Sequence, residues 1–81
     1  MATKVVLPKW GMGIEEGMIV RWLKTIGDTI EKGEPLVEIE TAKATQEMEA
    51  PVGGRLVQIL LPAGQTATVN TEIAVIDETY A

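Results

Sequence analysis

The chain contains no cysteine, histidine, serine or phenylalanine. Without Cys and His it can build neither a disulfide framework nor a zinc site of the usual type. Without Ser as well, it can assemble no Ser/His/Asp, Cys/His or Ser/Lys nucleophile set. The absence of His also means that its charge hardly changes between about pH 6 and 8. Basic residues are few: 7 Lys and Arg stand against 12 Asp and Glu, a formal net charge of −5. That balance argues against a nucleic-acid groove, which needs a basic stripe. No apolar run approaches a membrane span; stretches such as Ile59-Leu60-Leu61 are short. The segment Met1-Ala2-Thr3-Lys4 leads into Val5-Val6-Leu7 with neither a signal-peptide hydrophobic region nor an Arg/Ser-rich transit segment. The expectation is a bacterial, cytoplasmic location rather than a mitochondrial matrix one.

What is present reads as β-structure. Residues 19–23, 36–40, 55–60 and 73–76 are short runs rich in β-branched and large apolar residues, punctuated closely by Gly, Pro or Asn-Thr. No window of a dozen residues sustains a 3.6-residue apolar period. Seven or eight short strands in 81 residues predict a small all-β sandwich or closed barrel, one domain with its folded core over about 3–77. Residues 78–81 are expected to begin a linker or tail.

A shift of 37 residues lays 17–40 on 54–77. It matches Gly17 with Gly54, Val20 with Val57, Leu23 with Leu60, Gly27 with Gly64 and Thr29 with Thr66. The pairs Ile19/Leu56, Trp22/Ile59, Leu36/Ile73 and Ile39/Ile76 are apolar on both sides. The matched glycines fall between strands, where backbone geometry restricts the choice of residue. Two similar β halves about a pseudo-two-fold axis are expected. Trp22 alternates onto the same face as Val20 and is expected in the core.

Residues 36–50 carry the most information. Val37 and Ile39 alternate with Glu38 and Glu40, and Met48 alternates with Glu47 and Glu49. Antiparallel partners share a face, so the apolar set must pair with itself. That places Val37 opposite Met48, Glu38 opposite Glu47, Ile39 opposite Gln46 and Glu40 opposite Thr45. The turn is then centred between Ala42 and Lys43. Neither favours positive φ, so a type I turn over Thr41-Ala42-Lys43-Ala44 is expected rather than the Asn-Gly form.

Lys43 therefore stands on a hairpin tip among small neighbours: Thr41, Ala42, Ala44 and Thr45. It is the only basic residue between Glu34 and Glu49, a window with five acids and a net charge of −4. From the residues alone, Lys43 is either a solvated loop lysine or an extended amine that accepts a covalent group. A Schiff-base role would require desolvation. The flanking acids Glu38, Glu40 and Glu47 are a solvated face or a recognition surface. Trp10, Gly11 and Met12 form a loop segment suited to loop packing or to partner contact. Gly11-Met12-Gly13 lacks the following helix and the basic residue of a phosphate cradle.

The segment Glu38-Ile39-Glu40-Thr41-Ala42-Lys43-Ala44, with Glu47-Met48-Glu49-Ala50-Pro51 and Gly54 after it, resembles the lipoyl domain of acyltransferase subunits of 2-oxo acid dehydrogenase complexes. Pro8-Lys9-Trp10-Gly11-Met12-Gly13, Glu16-Gly17, Trp22-Leu23 and Gly27-Asp28 resemble that family's opening segment, so the resemblance covers about residues 4–77. It implies a flattened barrel of two four-stranded antiparallel sheets and lipoic acid in amide linkage to Lys43. It also implies a non-catalytic carrier, monomeric by itself, that serves a thiamin-dependent decarboxylase, an acyltransferase domain and dihydrolipoamide dehydrogenase. A lipoate ligase or lipoyl transferase would load it. Recognition around the hairpin would fall on Glu38, Glu40, Thr41, Ala42, Ala44, Thr45 and Glu47, and partner contact on Trp10, Gly11 and Met12. Neither metal nor nucleic acid is expected. The family usually has Asp immediately before the lysine, whereas this chain has Ala42. The biotinyl carrier domain is the nearest alternative, but it typically brackets its lysine with Met. An unmodified β-barrel interaction module and a small carboxylate enzyme are the readings from other classes.

Overall fold

The structure is a computed structural model that describes residues 2–8 and 15–80. Trp10, Gly11 and Met12 thus lie outside the described residues. Among the described residues, eight strands form two four-stranded antiparallel sheets. Strands β1 (Ala2–Val6), β8 (Glu72–Asp77), β6 (Gly54–Ile59) and β3 (Thr29–Ile30) make one, in the order β1-β8-β6-β3. Strands β5 (Thr45–Glu49), β4 (Pro35–Glu40), β2 (Glu16–Trp22) and β7 (Thr66–Thr68) make the other, in the order β5-β4-β2-β7. A 3-10 turn, Glu78–Tyr80, follows β8. The expected two-sheet architecture is the one observed.

The core is almost purely aliphatic. Val5, Leu7, Ile19, Ile30, Leu36, Val37, Ile39, Leu56, Ile73 and Ile76 are fully buried, and Met48, Ala50 and Ala74 complete the cluster. Among the described residues no polar or charged side chain is buried, so the interior contains no unsatisfied polar group to offset.

The 37-residue repeat is a structural repeat in detail. Gly27 N–H donates to the Leu56 carbonyl at 2.7 Å, and Gly64 N–H donates to the Ile19 carbonyl at 2.7 Å. Leu56 N–H donates to the Asp28 carbonyl at 3.0 Å, and Ile19 N–H to the Gln65 carbonyl at 2.9 Å. In each case the second bond is the first with the two halves exchanged, donor and acceptor each replaced by its repeat equivalent. Gly33 and Asn70, also related by that shift, have φ of 90° and 70°. Asn is one of the few residues with a side chain that tolerates this left-handed conformation. The halves are not simply stacked: β3 pairs with β6, and β7 pairs with β2. Each half therefore donates a strand to the other half's sheet.

Bulges modify the expected alternation. The ladder between β2 and β4 slips between Ile19 and Arg21, and that between β6 and β8 slips between Leu56 and Gln58. The extra residues, Val20 and Val57, turn outward and are 38% and 39% exposed. A bulge adds one residue to one strand and so reverses the facing of the residues beyond it. Trp22 consequently does not share a buried face with Val20, contrary to the sequence expectation. It is half-buried against the core rim, and its indole Nε1–H donates to the Leu61 carbonyl at 2.9 Å. In β4 and β8 the irregularity has the opposite effect: Leu36 and Val37, like Ile73 and Ala74, are consecutive and both buried.

Three carboxylates anchor turns. Asp28 accepts from Thr25 N–H at 2.9 Å, and Glu34 accepts from Glu31 N–H at 2.6 Å while pairing with Lys24 at 3.1 Å. Asp77 accepts from the Thr79 hydroxyl at 2.6 Å and from Thr79 N–H at 3.0 Å. These hydrogen bonds hold all three below their ordinary values, 3.8 for the aspartates and 4.5 for Glu34. A lowered folded pKa means that the unfolded chain binds more protons, so stability rises with pH across this range. The contribution is complete above the ordinary values and disappears as the pH falls through the lower, folded ones. The melting temperature should therefore be flat from about pH 6 to 8, where no histidine titrates, and should decline below about pH 4. Thermal melts across pH check this. Asp28→Asn and Glu34→Gln together should flatten the acid limb; an unchanged limb would remove these two groups as its cause.

Candidate functional site: the β4–β5 hairpin tip

The register expected from face-matching is the register observed. Val37 pairs with Met48, Glu38 with Glu47, Ile39 with Gln46 and Glu40 with Thr45. Val37, Ile39 and Met48 anchor the hairpin in the core, whereas Gln46 and everything beyond it toward the tip on β5 is exposed. The apolar anchor ends one pair before the turn, so the tip projects from the barrel.

At the tip, Ala42, Lys43, Ala44 and Thr45 are exposed and Thr41 is half-buried. No residue from 41 to 44 has a positive φ, which fits the exclusion of an Asn-Gly-type turn. The bonding across the turn differs from the usual type I pattern. Thr41 N–H donates to the Ala44 carbonyl at 2.9 Å. Ala44 N–H turns to the hydroxyl oxygen of Thr41, at 3.4 Å. A side chain thus takes the place that a backbone carbonyl fills in a closed type I turn.

The charge around Lys43 is arranged more sparingly than the sequence window suggests. Glu34 and Glu49 lie at the base of the hairpin, nine and six residues along the chain from Lys43, or ~20 Å or more along the strands, and Glu34 is engaged by Lys24. Glu38 accepts from Arg21 Nε at 2.8 Å, which offsets the like-charged contact with Glu47. Glu40 and Glu47 are left on the tip's flanks, both exposed. Beside the tip, a shallow groove of about 590 Å³ is walled by Glu15–Met18, by Glu40–Ala42 and by Thr66 and Thr68. Sequence reasoning missed Arg21, Glu15 and Glu16 as neighbours of the hairpin. Only the pairing of β2 with β4 and β7 brings them there, and no local signal encodes that pairing. Among the described residues no group of acidic side chains is placed to hold a metal ion.

The arrangement defines a class: a small β-barrel with a lysine amine displayed on a protruding hairpin. The biotin/lipoyl family model, described as biotin-requiring enzyme, matches residues 3–76, and the chain belongs to that family. Among solved structures, the lipoyl domain of the 2-oxoglutarate dehydrogenase complex from Azotobacter vinelandii superposes with a TM-score of 0.75 at 25% identity. The match covers 93% of this chain and 95% of that one. A dihydrolipoyllysine-residue acetyltransferase component of the pyruvate dehydrogenase complex from Corynebacterium glutamicum is 42% identical over 99% of this chain. The corresponding component of the acetoin cleaving system of Bacillus subtilis is 40% identical over 96%. A succinyltransferase component of the 2-oxoglutarate dehydrogenase complex from Bartonella vinsonii is 35% identical over 95%. The chain spans 12%, 20% and 19% of the length of these three relatives.

Proposed function

We propose that this chain is the lipoyl carrier domain of an acyltransferase component of a 2-oxo acid dehydrogenase complex, with lipoic acid joined through an amide bond to Nζ of Lys43. The observation that carries this reading is the projecting hairpin. Its register places a single lysine at the tip, between two methyl side chains, on a fold matched by a lipoyl domain. The residues fit the group, because amide formation needs only an accessible primary amine and room around it. Bound lipoamide supplies the acyl-carrying and two-electron redox chemistry that a chain without cysteine cannot supply. The chain's own residues hold the attachment point clear of the barrel, keep the tip backbone ordered, and offer the surface by which a partner selects it. Tethering raises the concentration of the carried group at each partner's active site without any new contact. The partners in this reading are a thiamin-dependent decarboxylase, an acyltransferase domain and a flavoprotein dehydrogenase.

The test is loading. The folded domain is incubated with lipoate, ATP and a lipoate–protein ligase, and in parallel with biotin, ATP and a biotin–protein ligase. Intact mass and peptide mapping should find one lipoyl group per chain, on Lys43, and no biotinyl group. Biotin loading alone would move the assignment to the biotinyl carriers, and no loading by either enzyme would reject the carrier reading.

A further inference from the structure

Because the tip side chains at 42 and 44 are methyl groups, they offer an attaching enzyme no charge and no hydrogen bond. What distinguishes Lys43 from another surface lysine then falls to the flanking side chains and to the shape of the backbone that carries it. That shape converges on one side chain. The Thr41 hydroxyl donates to the Ala44 carbonyl at 3.0 Å. The same oxygen accepts from Lys43 N–H and from Ala44 N–H, each at 3.4 Å. One donor and two acceptor sites are all that a hydroxyl has, and each is used within the tip. With Thr41 N–H also donating to the Ala44 carbonyl at 2.9 Å, residue 41 is bound to both ends of the peptide segment that displays the lysine.

We infer that Thr41 is a positioning residue for the loading of Lys43, its hydroxyl fixing the tip backbone in the conformation that the attaching enzyme reads. The inference rests on the lipoyl reading above. Thr41 acts through the geometry of the segment 42–44 and not on the reacting amine itself. The role has particular weight in this chain because Ala42 brings no polar group to the turn. Order supplied by the hydroxyl is then order the ligase does not have to impose when it binds.

Thr41→Val keeps the shape and the β-branching and removes only the hydroxyl's bonds. The tip amides it releases are exposed to water, so the fold should hold, with a melting temperature within ~4 °C of the parent. The ligase kcat/KM for Lys43 should fall about tenfold or more, since a misplacement of about 1 Å can cost on the order of 10²-fold. Amide exchange at Lys43 and Ala44 should quicken. Thr41→Ser, which restores the hydroxyl without the methyl, should recover kcat/KM to within about twofold and slow the exchange again. A Thr41→Val domain that loads as fast as the parent, or a Thr41→Ser domain as slow as Thr41→Val, would overturn the positioning role. The parent protein is the control for the underlying reading. If it takes up no lipoyl group, the carrier assignment itself fails, whereas a loaded parent with an indifferent valine variant removes only Thr41's part.

Discussion

Replacing Lys43 by arginine is expected to leave a domain that melts like the parent and takes up no lipoyl group at all. The substitution retains the positive charge on an exposed tip, where changes ordinarily shift stability by no more than about 0.5 kcal/mol. It removes the chemistry completely, because a guanidinium stays protonated and presents no nucleophilic amine. The other lysines among the described residues are poor substitutes. Lys4 lies in the middle of β1, and Lys24 lies just beyond the end of β2. Lys32 sits in the short β3–β4 connection, where Glu34 N–H bonds back to the Glu31 carbonyl at 3.0 Å. None of these three stands at the end of a strand pair that outruns the core. Intact mass after ligase treatment, with a thermal melt of the same sample, decides the matter. A lipoyl group found on the folded Lys43→Arg protein would place the attachment point elsewhere.

The second large effect concerns stability, and the repeat makes it a controlled comparison. Gly17 and Gly54 are equivalent positions in the two halves, but they are not equally replaceable. A Cβ at Gly54 would lie 2.4 Å from the Asp77 carbonyl oxygen and 2.9 Å from both the Asp77 carbonyl carbon and Ile76 Cγ2. Its φ of +152° is strained for any residue with a side chain. Two of the three, including the nearest, belong to the backbone of β8, a central strand that cannot retreat without breaking its ladders to β1 and β6. Gly54→Ala should therefore cost about 3 kcal/mol or more. That is a large share of the roughly 5–15 kcal/mol that holds a domain together, and the melting temperature should fall by more than ~12 °C. At Gly17 the nearest atom is Ile39 Cγ2 at 2.8 Å, a side-chain methyl, and the backbone is unstrained. Gly17→Ala should cost about 1–2 kcal/mol as Ile39 adjusts. Urea and thermal unfolding of both variants give the comparison. A Gly54→Ala domain as stable as Gly17→Ala would mean that β8 yields more readily than its pairing implies.

The hairpin was legible in the sequence because its information is local and redundant. Val37, Ile39 and Met48 meet on one face when Val37 stands opposite Met48, a slip of one residue would bury Glu38, and from that pairing the turn position follows by arithmetic. Much of the rest was not legible. A bulge has no compositional mark, so nothing in Ile19-Val20-Arg21-Trp22 announces that Val20 faces out and Trp22 comes only half in. The acids near Lys43 were counted by distance along the chain, although two of them belong to the hairpin's base and Glu38 is neutralised by an arginine from β2. Sequence proximity overstated the negative field at the tip on one side and missed Glu15 and Glu16 on the other.

The sequence by itself determined that this chain holds no Ser- or Cys-based nucleophile set and no thiol, that it folds as short strands in two related halves, and that one lysine ends a hairpin. Those properties depend on residue identity and on the two-residue period of a strand, both visible in one dimension. Only the tertiary structure decided how the halves combine, with β3 lent to one sheet and β7 to the other, and therefore which surface faces the tip. The physical reason lies in the pairing itself. Strand edges carry the same N–H and C=O groups whatever the sequence, so the choice of neighbour is made by the burial of the whole aliphatic core at once, not by any segment read alone.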